Sequence, residues 1–197
     1  MVPLLRQDDD RFGQNLRVVF RQQIQPWHPT STLTHEAAAA VLRLTPTKFW
    51  DFAAVMFKHQ ENFFDEAVKD EGRNATYDRL AALAVEAITR TETRETADGE
   101  TKKDESENGQ GMGKSRDDIK SSIDRNQIMD LLKIGTHGSN AGNKVTADVK
   151  LMVKAARVAG VHISPTVFFD GVEEKGISSS FTSDQWKDWL ERNVLEI

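Results

Sequence analysis

The chain has 197 residues, a formal net charge of −5 and no cysteine. That length suits one domain with a sizeable core, or one domain carrying an insert. The missing cysteines exclude disulfide staples, thiolate nucleophiles and Cys-ligated metal, and the lack of a basic stripe argues against nucleic acid. No apolar run is long enough to span a bilayer.

Met1 to Asp10 has a short apolar start followed by an Asp run, which is not a secretory signal, so a cytoplasmic location is expected. Leu16 to Ile24 reads as a strand, with Leu16, Val18 and Phe20 on one face and Val19 on the other. Pro26 and Pro29 bracket Trp27 and His28 in a turn, after which Thr32 or Thr34 is expected to cap a helix reaching about Leu44. Thr45-Pro46 restarts the helical pattern, because proline is tolerated in a first turn where its missing N–H has no partner anyway. The next helix places Phe49, Phe52, Ala53, Met56 and Phe57 on one stripe. A further helix from about Thr76 aligns Tyr77, Leu80, Ala81, Ala84 and Ile88.

Thr91 to Asp117 is dense in polar and charged residues and almost empty of large apolar ones. Such a segment cannot offset its ordering entropy by burial, so it is expected to be a disordered insert acting as a solvated spacer. Order resumes at Ile128 to Leu132. A helix with Val145, Val149, Met152, Val153 and Ala156 inward then ends at Gly160. Val161 to Pro165 leads into a strand at Thr166 to Phe169. Asp170-Gly171 is a hairpin signal, and a returning strand follows from Val172 to about Ile177. Thr182 and Gln185 have capping-box spacing and open a last helix that buries Trp186, Trp189, Leu190 and Val194. The order strand, helices, hairpin, helix predicts an α/β domain with one sheet covered by helices.

Two blocks resemble thioredoxin-fold proteins of the DsbA-like class. In the first, from Leu16 to about Gln60, Val18-Val19-Phe20-Arg21, Trp27-His28-Pro29, His35-Glu36-Ala37-Ala38 and Phe49-Trp50 through Met56-Phe57 follow the family's second strand and helical insertion. In the second, from Gly160 to Val194, Gly160-Val161 and Ser164-Pro165-Thr166-Val167-Phe168-Phe169-Asp170-Gly171 match its proline loop and hairpin. The resemblance implies one thioredoxin-like domain over 1–197. Its parts are a sheet strand at 16–24, a helical insertion at 32–90, the polar insert at 91–117, and helix, proline loop, hairpin and C-terminal helix at 144–197. It also implies a cis bond between Ser164 and Pro165 and a loop that faces a peptide or a glutathione moiety.

The family's first strand and Cys-x-x-Cys segment find no counterpart; Met1-Val2-Pro3-Leu4-Leu5 resembles the end of the helix that follows them. A truncated gene model would look the same. In the family that strand lies between the Leu16–Ile24 and Thr166–Phe169 strands. Without it their inner edges are left unpaired, at about 1–3 kcal/mol for each buried unpaired group. Either the neighbours pair directly, another segment fills the slot, or the fold is marginal.

The resulting expectation is a thioredoxin-like protein without a redox-active cysteine pair, a non-catalytic binding or interaction module. The alternative is a thiol-disulfide oxidoreductase or kappa-class-like glutathione enzyme whose catalytic segment is missing. A third reading is a helical adaptor whose acidic insert recruits partners. Ser164 and Pro165 are the only site residues nominated, and no catalytic, cofactor-binding or metal-ligating residue is assigned. His28 reads as a turn histidine. His35 with Glu36, and His59 with Glu61, lack metal-ligand spacing, and His137 and His162 are scattered. Gly109, Gly111 and Gly113 lack the preceding strand and lysine frame of a phosphate loop.

Overall fold

The computed structural model describes residue 12 and residues 15–100, 123–134 and 140–195, with 91–100 as backbone only. The chain divides into two units, one of residues 1–23 and 152–197 and the other of residues 24–151. Mixed structure with helix predominating is observed, and the sheet among the described residues is a single antiparallel pair of strands.

In the helical unit, α1 spans Pro29–Leu44. It starts earlier than Thr32 or Thr34 would have it. Pro29 occupies the first turn, and His28 precedes it without a side-chain cap. Fixed proline φ preorganises that turn, which makes a hydroxyl cap dispensable. A short 3₁₀ turn at Pro46–Lys48 leads into α2, Phe49–Lys58. Phe49 and Phe52 are buried there, but Phe57 is 62% exposed and leaves the expected stripe. The 3₁₀ turn Gln60–Phe63 and the single-turn α3, Asp65–Val68, follow.

Helix α4, Arg73–Glu100, is the long element of this unit. Tyr77, Leu80, Ala81, Ala84 and Ile88 are all wholly inaccessible, as their helical spacing predicts. Its helical backbone runs through Glu100, so the first ten residues of the expected disordered insert are helix; 101–117 lies outside the described residues. Polar side chains such as Glu and Lys disfavour a core but not a helix, and an established helix propagates cheaply. Helix α5, Arg125–Leu132, opens on an Asp124–Gln127 capping box and buries Ile128 and Leu132. Ala37, Ala40 and Val41 of α1 are buried with them in this unit's core.

Helix α6, Thr146–Val158, contains the division between the units. Beyond it, Gly160 takes φ +70, and Val161 N–H bonds the Ala156 carbonyl. Strands β1, Phe168–Phe169, and β2, Val172–Glu173, pair Phe169 with Val172 and Phe168 with Glu173. Asp170 and Gly171 both have positive φ, +47 and +84, the two-residue turn whose twist suits a right-handed hairpin. The ladder stops at Glu173, short of the expected Ile177, although Glu174 N–H still reaches the Val167 carbonyl at 2.8 Å. Gly171→Val should cost about 1–2 kcal/mol; a thermal midpoint equal to that of the unchanged protein would contradict this geometry.

Helix α7, Ser183–Leu190, opens on the predicted Thr182–Gln185 capping box and continues as a π turn, Glu191–Leu195. Trp189 meets Phe169 edge-to-face at 5.0 Å, Trp186 meets Trp189 at 6.2 Å, and Phe181 meets Trp186 at 5.2 Å. Leu190 and Ile177 are buried, whereas both tryptophans and Val194 are half-buried.

Leu16–Ile24, expected as a strand, joins no ladder. A strand is defined by a ladder shared with a neighbour, and the ladder found among the described residues does not include this segment.

Candidate functional site

Ser164 and Pro165 lie in an exposed bend directly before the hairpin, and the bond between them is cis. The Thr166 hydroxyl closes the bend by donating to the Ile163 carbonyl at 2.6 Å. The sequence that follows has a defined edge polarity. A two-residue turn makes Phe169 and Val172 the hydrogen-bonded pair, so the N–H and C=O of Phe168 point away from β2. Those of Thr166 share that direction. Neither residue's backbone groups are hydrogen-bonded among the described residues. Beside this open edge, Ile163 is 71% exposed and Phe168 45%. The loop thus offers donors and acceptors for an extended chain and apolar side chains next to them.

A second cluster lies in the helical unit and was not anticipated. Glu36 of α1 is buried and accepts a hydrogen bond from the Tyr77 hydroxyl of α4. Arg73 Nη2 donates to the same Glu36 oxygen at 3.3 Å, while Arg73 Nε donates to the Tyr77 oxygen at 2.9 Å. Asn143 Nδ2 donates to that phenol oxygen at 3.3 Å, and Asn143 Oδ1 accepts from Val145 N–H at 3.1 Å and the Thr146 hydroxyl at 3.0 Å. Tyr77 therefore uses its single donor and both acceptor positions.

Burial, followed by the hydrogen bond to Glu36, pushes the Tyr77 phenol up to about 12 from an ordinary value of 10.0. The neutral phenol is the native form. Its contribution to stability is complete below about pH 10 and lost as the pH rises toward 12, on the order of 3 kcal/mol in all. Tyr77 is the only tyrosine, so tyrosinate absorbance reads it alone. The native protein should titrate near 12 and the unfolded chain near 10; coincident titrations would show the phenol to be solvated. A phenol so held is neither a base nor a nucleophile at neutral pH. The cluster pins α1, α4 and the Asn143 loop together.

The sequence did hold a signal for it. Glu36 falls three and four residues before Ala39 and Ala40, which puts a carboxylate on the apolar face of α1 and requires a buried partner.

His28 differs from its turn-histidine reading in its partner. Its Nδ1 lies 3.2 Å from Asp65 Oδ2, and both side chains are more than half exposed. Solvent screening leaves such a pair worth under about 1 kcal/mol. Exposed Trp27 and Phe64 adjoin it in sequence. No group of three or more potential metal ligands occurs among the described residues, while His137 and Gly109, Gly111 and Gly113 lie outside them. No helix among the described residues is long and apolar enough to cross a membrane.

Comparison of the chain with protein-family models, with curated proteins and with solved structures finds no match.

Proposed function

We propose that the chain is a thioredoxin-like, cysteine-free binding module that holds an extended polypeptide against the open edge of its proline-loop hairpin. The observation that supports this reading is the pair of outward-facing backbone positions, Thr166 and Phe168, bordered by the exposed side chains of Ile163 and Phe168. Strand addition to such an edge draws affinity from main-chain hydrogen bonds and selectivity from alternate side chains. With no cysteine in the chain, no dithiol is present to exchange, so capture is not followed by oxidation or reduction.

A fluorescently labelled polypeptide kept unfolded by complete reduction and alkylation is a suitable probe. It should bind the full chain with a rise in anisotropy, whereas the same polypeptide folded and disulfide-bonded should not. Equal binding of both forms would overturn the reading. Millimolar glutathione should leave the thermal midpoint unmoved, because a ligand of the native state raises apparent stability by mass action. A rise with glutathione, without binding of the unfolded probe, would favour a glutathione enzyme instead.

A further inference from the structure

Phe169 turns one face of the hairpin toward Trp189 of α7. Side chains alternate along a strand, so Phe168 lies on the opposite face, directly across from Glu173 of β2. Phe168 and Glu173 are a non-hydrogen-bonded pair, the kind whose side chains stand closest, with Cβ atoms about 4.5–5.5 Å apart. Both residues are exposed. The Glu173 carboxylate has no hydrogen bond or ion pair among the described residues.

Charge and reach identify what fits beside this pair. From Thr166 to Glu174 the hairpin carries Asp170, Glu173 and Glu174 and no cation. None of the three carboxylates is ion-paired among the described residues, and Lys175 stands in a turn beyond the ladder without joining them. A chain laid along the open edge of β1 places alternate side chains on the Phe168 face, one of them against Phe168 itself. That position is two strand spacings from Glu173, about 10 Å, and only a long side chain bridges it. Arginine meets every group there: its stem covers the ring, its guanidinium stacks on the aromatic face, and its N–H groups donate to the carboxylate. A leucine would cover the ring and leave Glu173 unanswered, and an acidic residue would be repelled. A second copy paired edge to edge would offer Thr166 and Phe168, and again no cation.

We infer that Phe168 and Glu173 form a subsite for an arginine of the captured polypeptide. This rests on the capture proposed above and names what is captured: an extended segment that presents arginine opposite Phe168.

The test titrates the full chain into three labelled peptides, Thr-Val-Thr-Arg-Thr-Val-Thr and its counterparts with Leu or Glu in place of the Arg. The Arg peptide should bind about threefold tighter than the Leu peptide and about tenfold tighter than the Glu peptide, and should slow exchange of the Phe168 amide. Glu173→Gln, at an exposed side chain without a partner, should remove most of the preference for Arg over Leu. Glu173→Arg should favour the Glu peptide. Glu174→Gln removes the same charge from the other face and should leave the preference as it was. A cooperative thermal transition shows that each variant folds. Equal affinity for the three peptides, with the Phe168 amide slowed by each, would leave capture standing and overturn the arginine subsite. An equal loss of preference in Glu174→Gln would also overturn it, by tracing the effect to overall charge, as would self-association through Phe168 that excludes the peptide. If no peptide slows Phe168 the inference fails, and the alkylated unfolded polypeptide then shows whether capture fails with it.

Discussion

Tyr77→Ala should lower the unfolding free energy by about 3–5 kcal/mol, the usual loss for a large buried aromatic. Two costs combine. The ring is wholly buried in the helical unit, so its removal leaves a cavity beside Leu80, Ala81 and Ala84 or forces the helices to shift. Its hydroxyl also satisfies Glu36 and Asn143, which are left with fewer partners away from water. Tyr77→Phe separates these costs. It keeps the ring and removes only the hydroxyl, so about 1–3 kcal/mol should be lost. Chemical unfolding of the three proteins checks the order: alanine lowest, phenylalanine between, tyrosine highest. A phenylalanine variant as stable as the unchanged protein would mean that Glu36 is solvated rather than held.

The second large effect belongs to the other unit. Trp189→Ala removes the edge-to-face contacts with Phe169 and Trp186 and bares the hairpin's inner side. Because Trp189 is half-buried, the expected loss is about 2–4 kcal/mol, somewhat below that of a fully buried tryptophan. Phe169 is the residue through which α7 holds β1, so the Thr166–Phe168 edge should lose its geometry and binding of the alkylated unfolded probe should fall. The Tyr77 titration near 12 should persist, since the Glu36 cluster lies in the helical unit. Undiminished probe binding by a destabilised Trp189→Ala protein would dissociate the hairpin from capture.

Elements specified by their own neighbours were legible in the sequence. The Tyr77–Ile88 stripe, the Thr182–Gln185 capping box and the Asp170-Gly171 turn each encode geometry within a few residues, and each is observed. Elements that depend on a distant partner were not. Leu16–Ile24 has the composition and alternation of a strand, yet a ladder requires a second chain segment that composition cannot supply. Phe57 repeats at helical period with Phe49 and Phe52, but it sits in the last turn of α2 and its side chain is exposed. The polarity of Thr91–Glu100 points to a disordered insert, whereas helix propensity governs its backbone.

The same distinction applies to the candidate sites. Ser164 and Pro165 were found by motif, and the open edge next to them follows from hairpin register. The Glu36 cluster draws on three separate segments, α1, α4 and the Asn143 loop, so no local pattern announces it beyond a carboxylate on an alanine-lined face.

Residue-resolved amide exchange at Phe168, with and without the alkylated unfolded polypeptide, tests the central claim most directly. Alone, the amide has no protein acceptor and should exchange nearly as fast as in an unstructured chain. With saturating probe it should slow by about tenfold or more, as in a newly formed ladder. Binding that leaves the Phe168 amide as fast as before would contradict capture at this edge.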